Sequence, residues 1–229
     1  FRLAVVSLDY DDGEGQALIS RDDLKGIANA LKRAKRARVS FEGEDVTKPS
    51  SLILDTELIR YKWVSTGGQY PEWQKLIPTE FNTVAHFDTV EAIKAIASLK
   101  VLADSKAYPI DLALDNGYMV VANPEDKGQT AIPADIEGKP VKVRIDGSYL
   151  AQALKACGGM VDYKLTNGYS PTLFTADGYQ LVVMPMMTTE ATEAMKRDKE
   201  QAPPTQAEPV TEDTEVVKVV AEAEAIAKA

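Results

Sequence analysis

Three stretches of the chain repeat one pattern, an apolar stripe at helical spacing followed by short segments of alternating apolar and polar residues. The first begins at Ile19, "ISRDDLKGIANALKRAKRARVSFEG", with Leu24, Ile27 and Leu31 on one side. Ser20 is placed to cap this helix, and Asp22 and Asp23 stand in its first turn, where negative charge is favoured. The second begins at Phe87, with Val90, Ile93, Ile96 or Ala97, and Val101 as the stripe and Asp88 or Thr89 as the cap. The third begins at Ile145, with Leu150, Ala153 and Leu154 inward and Gly158-Gly159 as its stop. Strands follow each helix: "ARVSFEG", "SSLILDT" and "LIRYKWVS"; then "PIDLALDN", "GYMVVANP" and "TAIPADIEG"; then "DYKLTN", "PTLFTAD" and "GYQLVVMP". Asp115-Asn116-Gly117 and Ala176-Asp177-Gly178 are hairpin signals. The period is roughly sixty residues, which predicts an α+β fold of repeated units, each a helix laid on an antiparallel sheet.

The last of these strands ends oddly. Tyr179 to Met184 suit a half-buried pleated surface, but Met184-Pro185-Met186-Met187 follows and the composition then changes. Proline cannot donate to a sheet ladder, so the strand lies at an edge or stops here. The three methionines around it either fill a core gap or line a surface that something else binds.

Charge is unevenly spread. The total is −9, of which Thr189 to Ala229, with ten acidic and five basic residues, carry −5. That segment, rich in charge, Pro, Gln and Thr, is expected to be a disordered tail. A single cysteine, Cys157, and a single histidine, His86, exclude a disulfide framework and a Cys/His zinc site. No metal or cofactor is expected. No apolar run is long enough to span a bilayer, and no signal peptide is visible. The chain starts inside an apolar strand, "FRLAVVSLDY", without Met, as expected of a fragment lacking its N-terminal part.

Chemistry is sparse. Acid pairs such as Asp22-Asp23 and Glu125-Asp126 fall where helix starts and solvated turns put them. Gly67-Gly68 and Gly158-Gly159 lack the Lys and Ser/Thr of a phosphate loop. A binding protein is expected, not an enzyme. Arg21, Lys25, Lys32, Arg33, Lys35 and Arg36 crowd the first helix and its end, and Lys94, Lys100 and Lys106 follow on the second. Such a face is either solvated or suited to phosphates, which need charge but no base-reading groups.

Four segments in register resemble the bacterial DNA polymerase sliding clamps. "QYPEWQKLIP" (Gln69 to Pro78) is similar to the linker opening the clamp's third domain. "IDGSYLAQAL" resembles the family's F-N-x-x-Y-L helix start, and "SPTLFTADGYQLVVMPMM" its final hairpin, which closes on V-M-P-M-R-L. "FRLAVVS" resembles the strand after an Asp-Gly in the middle domain. The likeness covers residues 1 to about 188 and implies the C-terminal half of a DNA polymerase III beta subunit: 1–68 from the middle domain, 69–188 the third domain, and 189–229 an acidic tail.

The resemblance implies a DNA-clamp fold whose helices line the DNA-facing side of a homodimeric ring and whose sheets form the outer rim. Arg21, Lys25, Lys32, Arg33, Lys94 and Lys100 are then the DNA-facing residues. It also implies a pocket in which the replicative polymerase, the clamp loader and repair proteins insert a Gln-Leu-Phe type peptide. Carried over by position, its residues are Arg2, Leu3, Pro71, Lys75, Leu76, Asp146, Tyr149, Tyr169, Pro171, Val182, Val183, Met184, Pro185 and Met186. The implied function is a replicative processivity factor, cytoplasmic and nucleoid-associated. The alternative is a clamp-fold interaction adaptor that keeps the pocket without encircling DNA. Four departures stand out: Met187 replaces the terminal Arg, a long tail follows it, Asp22 lies in a turn where some relatives have a Lys facing DNA, and Asp146 replaces Asn, a carboxylate that accepts but cannot donate to an incoming Gln. A chain without the first domain is not expected to close a ring alone.

Overall fold

Two strand-to-helix junctions organise the molecule. In the computed structural model, which describes residues 2–7, 15–43, 51–66, 72–102 and 108–201, β5 (Thr83–Asp88) runs into α2 (Thr89–Lys100), and β10 (Val141–Asp146) into α3 (Gly147–Cys157). Each helix is capped by the last residue of its strand. Asp88 accepts from Val90 N at 2.7 Å, and Asp146 from Ser148 N at 2.8 Å and Tyr149 N at 3.2 Å. α3 stops at Gly158, whose φ of 62° disfavours other residues.

Three-stranded meanders follow each helix. After α2 come β6 (Pro109–Asp115), β7 (Tyr118–Ala122) and β8 (Gln129–Pro133); after α3 come β11 (Met160–Leu165), β12 (Thr172–Ala176) and β13 (Tyr179–Val183). The predicted hairpins form, with Asn116 and Gly117 at φ 48° and 81°, and Asp177 and Gly178 at 29° and 76°. The two repeats exchange their leading strands. β5 pairs with β11 of the second repeat, while β10 pairs with β6 of the first.

With β1 (Arg2–Val6) and β9 (Asp135–Gly138) at its edges, one sheet therefore runs β1-β13-β12-β11-β5-β9, and the other runs β10-β6-β7-β8. β1 joins the first sheet by pairing Arg2 with Val183 and Leu3 with Val182. The predicted strand "TAIPADIEG" is in fact two. β8 ends at Pro133, and β9 crosses to the other sheet, pairing Asp135 with His86. Proline breaks the first ladder, and Ala134 N is held instead by Gly117 O at 3.1 Å.

One core is shared by both repeats. Phe87, Ile96, Leu99, Ile110, Leu112, Ile145, Leu150, Leu154, Tyr163 and Phe174 are each at most 4% exposed. Tyr163 stacks on Phe174 with ring centroids 4.2 Å apart. The predicted stripe of α2 needs correcting, because Val90 and Val101 are exposed and Thr89, Ala92, Ala95, Ile96 and Leu99 are buried. α2 packs on α3, and small side chains on this face permit the close approach, so bulky residues mislead as a guide to it.

Residues 15–66 carry α1 (Arg21–Leu31) and the meander β2 (Ala37–Glu42), β3 (Ser51–Thr56) and β4 (Arg60–Val64). Ser20 Oγ accepts from Asp23 N at 3.2 Å and donates to Asp23 Oδ2, the predicted cap. Leu24 in the predicted stripe is nonetheless 46% exposed.

Thr188–Ala229 form a separate unit. The disorder expected from composition fails for its first part, where α4 spans Thr189–Gln201. Thr188 Oγ1 accepts from Ala191 N at 3.1 Å, and the Glu, Ala, Met, Lys and Arg that follow are good helix formers. The rest of the expected tail lies outside the described residues.

Candidate partner-peptide pocket

The start of α3 and the end of β13 meet the first strand of the chain. Helical spacing puts Tyr149 and Gln152 on one face of α3, and β1 brings Arg2 to that face. The Arg2 guanidinium lies 4.5 Å from the centre of the Tyr149 ring and donates to Gln152 Oε1. After β13 the chain turns at Met184-Pro185, and Met186 N donates to Arg144 O at 2.7 Å. The Met-Pro-Met segment is thereby laid beside the strand that leads into α3. Met184 and Pro185 are half-buried, and Met186 is 38% exposed. Thioethers are presented to solvent here, so core filling does not account for Met186.

Arg144 fixes that strand. Its Nε donates to Asp111 Oδ1 at 2.6 Å and its Nη2 to Asp111 Oδ2 at 2.8 Å, a two-pronged pair with an almost buried carboxylate. Below the helix start, Gly147 N donates to Tyr108 O at 2.8 Å. A side chain at Gly147 would meet the Tyr108 ring at 2.2 Å. Burial, and secondarily the Asp146 carboxylate, push the Tyr108 phenol above its ordinary value.

A family model described as DNA polymerase III beta subunit, C-terminal domain, matches residues 74–187. Those residues belong to that family. A beta sliding clamp of Synechococcus elongatus is 34% identical over 117 residues, 48% of this chain and 31% of the relative. One from Synechocystis is 27% identical over 196 residues, covering 77% of this chain and 50% of its own. The fold agrees with the crystal structure of the DNA polymerase III beta subunit of Pseudomonas aeruginosa at a TM-score of 0.71. Identity there is 22%, over 81% of this chain and 53% of that one. The chain thus spans about half the length, or less, of these relatives.

The beta-subunit domain sorts the expected pocket residues into groups. Arg2, Tyr149, Met184, Pro185 and Met186 gather around the start of α3, with Leu3 half-buried opposite Val182. Val182 and Val183 are each only 1% exposed and lie behind the surface, and Val183 belongs to the core. Asp146 is spent on capping: its Oδ1 receives Ser148 N, Ser148 Oγ and Tyr149 N. Its carboxylate thus holds the helix, a role that suits Asp as well as Asn. Tyr169 and Pro171 precede β12 in a loop shaped by Asn167, whose Oδ1 accepts from Tyr169 N at 3.0 Å and Ser170 N at 2.7 Å. Lys75 and Leu76 lie on an exposed 3-10 turn, Trp73–Leu76, where Lys75 pairs with Glu72. Pro71 lies outside the described residues.

Gln152 and Arg144 were not among the expected residues. Gln152 was findable, since it stands one helical turn beyond Tyr149. Arg144 acts through a pairing across strands that spacing along the chain does not reveal.

Of the expected DNA-facing residues, Arg21, Lys25, Lys32, Arg33, Lys94 and Lys100 are all exposed. Lys25 pairs with Asp22 at 3.0 Å, and Lys100 Nζ lies 5.9 Å from the Tyr108 ring centre. Among the described residues, no group of three or more His, Cys, Asp or Glu could hold a metal, and no helix is long and apolar enough to cross a membrane.

Proposed function

We propose that this chain is part of a sliding clamp that tethers a replicative DNA polymerase to duplex DNA, and that the start of α3 is its docking site for partner peptides. The carrying observation is the joining of β1 to β13. It brings Arg2 from one end of the clamp-like region to Tyr149 and the Met-Pro-Met segment at the other. Apolar, adaptable methionines suit Leu and Phe side chains, while Arg2 and Gln152 supply polar groups for a Gln. The reading is of a binding protein, acting in the cytoplasm on nucleoid DNA and closing a ring as a homodimer of the full-length protein. Exposed cations on α1 and α2 would track phosphates without reading sequence.

The test is a titration of the chain with a fluorescent Gln-Leu-x-Leu-Phe peptide beside the Met184→Ala/Met186→Ala variant. Binding weakened by about 1–3 kcal/mol in a folded variant is expected, since few anchors carry most of such an interface. Unchanged affinity would remove the methionine wall from the site. Peptide binding without salt-sensitive DNA association would favour an adaptor over a ring on DNA.

A further inference from the structure

The exchange of leading strands gives the domain two equivalent corners, and only one of them is the pocket described above. In the second repeat the chain leaves β13 and bonds to β10 through Met186 N and Arg144 O. In the first repeat it leaves β8 and bonds to β5, with Asp135 opposite His86. Aligning the capping residues Asp146 and Asp88 places Tyr149 on Glu91, Arg144 on His86 and Ile145 on Phe87. The corner of the first repeat holds a cavity of about 460 Å³ lined by His86, Phe87, Asp88, Glu91, Asp135 and Met160 with the backbone bend at Pro133-Ala134.

Its chemistry differs from that of the α3 corner. The floor is apolar, with Phe87 2% and Ala134 8% exposed, and Met160 stands half open at 52%. The rim carries Asp88, Glu91 and Asp135: Glu91 stands in the place of the Tyr149 phenol and His86 in that of Arg144, while Asp88 matches Asp146, and among the described residues no Lys or Arg lines the cavity. His86 is turned to Asp162, with Nδ1 2.7 Å from Oδ1. An anionic peptide is disfavoured here despite the nearby helix start, whose cap Asp88 already supplies negative charge.

We propose that this corner is a second docking site, for a short peptide that inserts one apolar side chain between flanking Lys or Arg residues. Apolar contact with the exposed Met160 and Pro133 would anchor the peptide, and the acidic rim would select its charge. The comparison between corners rests on the peptide-pocket reading, so the two sites need separate reporters. Their methionines provide them.

The experiment is a titration of the full chain, labelled with ¹³C in its methionine methyls, by the capped peptide Lys-Leu-Lys, with Glu-Leu-Glu as control. The basic peptide is expected to shift Met160 and to leave Met184 and Met186 in place, with weaker binding as salt rises. Glu91→Lys with Asp135→Lys, both on exposed side chains, is expected to weaken it at least about tenfold while Gln-Leu-x-Leu-Phe binding stays unchanged. Equal response to both peptides, shifts confined to Met184 and Met186, or no response in Met160 would each overturn the proposal. Loss of Gln-Leu-x-Leu-Phe binding alone would instead count against the α3 pocket.

Discussion

Replacing Arg144 by Met should destabilise the beta-subunit domain by about 2–4 kcal/mol. The Asp111 side chain is only 10% exposed and receives both prongs of a guanidinium that is itself 29% exposed. Removing one partner of a buried pair leaves an uncompensated charge, an effect of roughly 3–5 kcal/mol when burial is complete. Two features reduce it here: the partial exposure of Arg144, and Lys142, whose Nζ is 4.0 Å from Asp111 Oδ2 and can move closer. At roughly 2–4 °C per kcal/mol for a unit of this size, Tm should fall by about 5–15 °C. Urea unfolding followed by far-ultraviolet circular dichroism measures the loss directly. Asp111→Leu with Arg144→Met removes both charges and should lie within about 1 kcal/mol of the unsubstituted chain. A single variant costing under about 1 kcal/mol, or a double variant as unstable as the single, would refute the account. The proposed peptide site should suffer with the single variant, because the strand whose Arg144 carbonyl accepts from Met186 N loses its anchor to Asp111.

Gly147→Ala should destabilise the domain by about 1–3 kcal/mol, measured in the same unfolding assay, since the new methyl meets the Tyr108 ring and overpacks a closed site. Cys157 should react with maleimide more slowly than a free thiol at mildly alkaline pH. Burial pushes its thiol up and so lowers the reactive thiolate fraction, and urea should restore the rate. Lys32→Glu with Arg33→Glu should reduce DNA association and flatten its salt dependence in a retention assay; no change would assign that face to solvent alone.

The local grammar of the fold was legible in the sequence. Ser20 and Asp88 cap where their short polar side chains reach free N–H groups, and Gly117, Gly158 and Gly178 sit at positive φ as their neighbours implied, whereas the capping role of Asp146 was not among the expectations. For the methionine segment the residues left core filling and a surface open, and the 38% exposure of Met186 favours the surface for that residue. Other features were hidden because they depend on distant partners. Val182 and Val183 read like their neighbours, and only the addition of β1 and β12 on either side of β13 shows them to be buried. The split at Pro133 sends two halves of one apparent strand to different sheets, which no alternation of residues announces. α4 was missed because charge content outweighed a cap and a run of helix formers.

The pairing of β1 with β13 also sets an order of events during synthesis. Arg2 meets Val183 across almost the whole clamp-like region, and β5 waits for β11 across an entire intervening repeat. Contacts so distant along the chain close late and slowly. While the chain emerges, the sheet edge that will receive β13 must stand open, and so must the strand that carries Arg2. A nascent or truncated chain therefore exposes unpaired strand edges, which are templates for aggregation. The corner at α3, where β1 meets β13, is therefore among the last parts of the molecule to form.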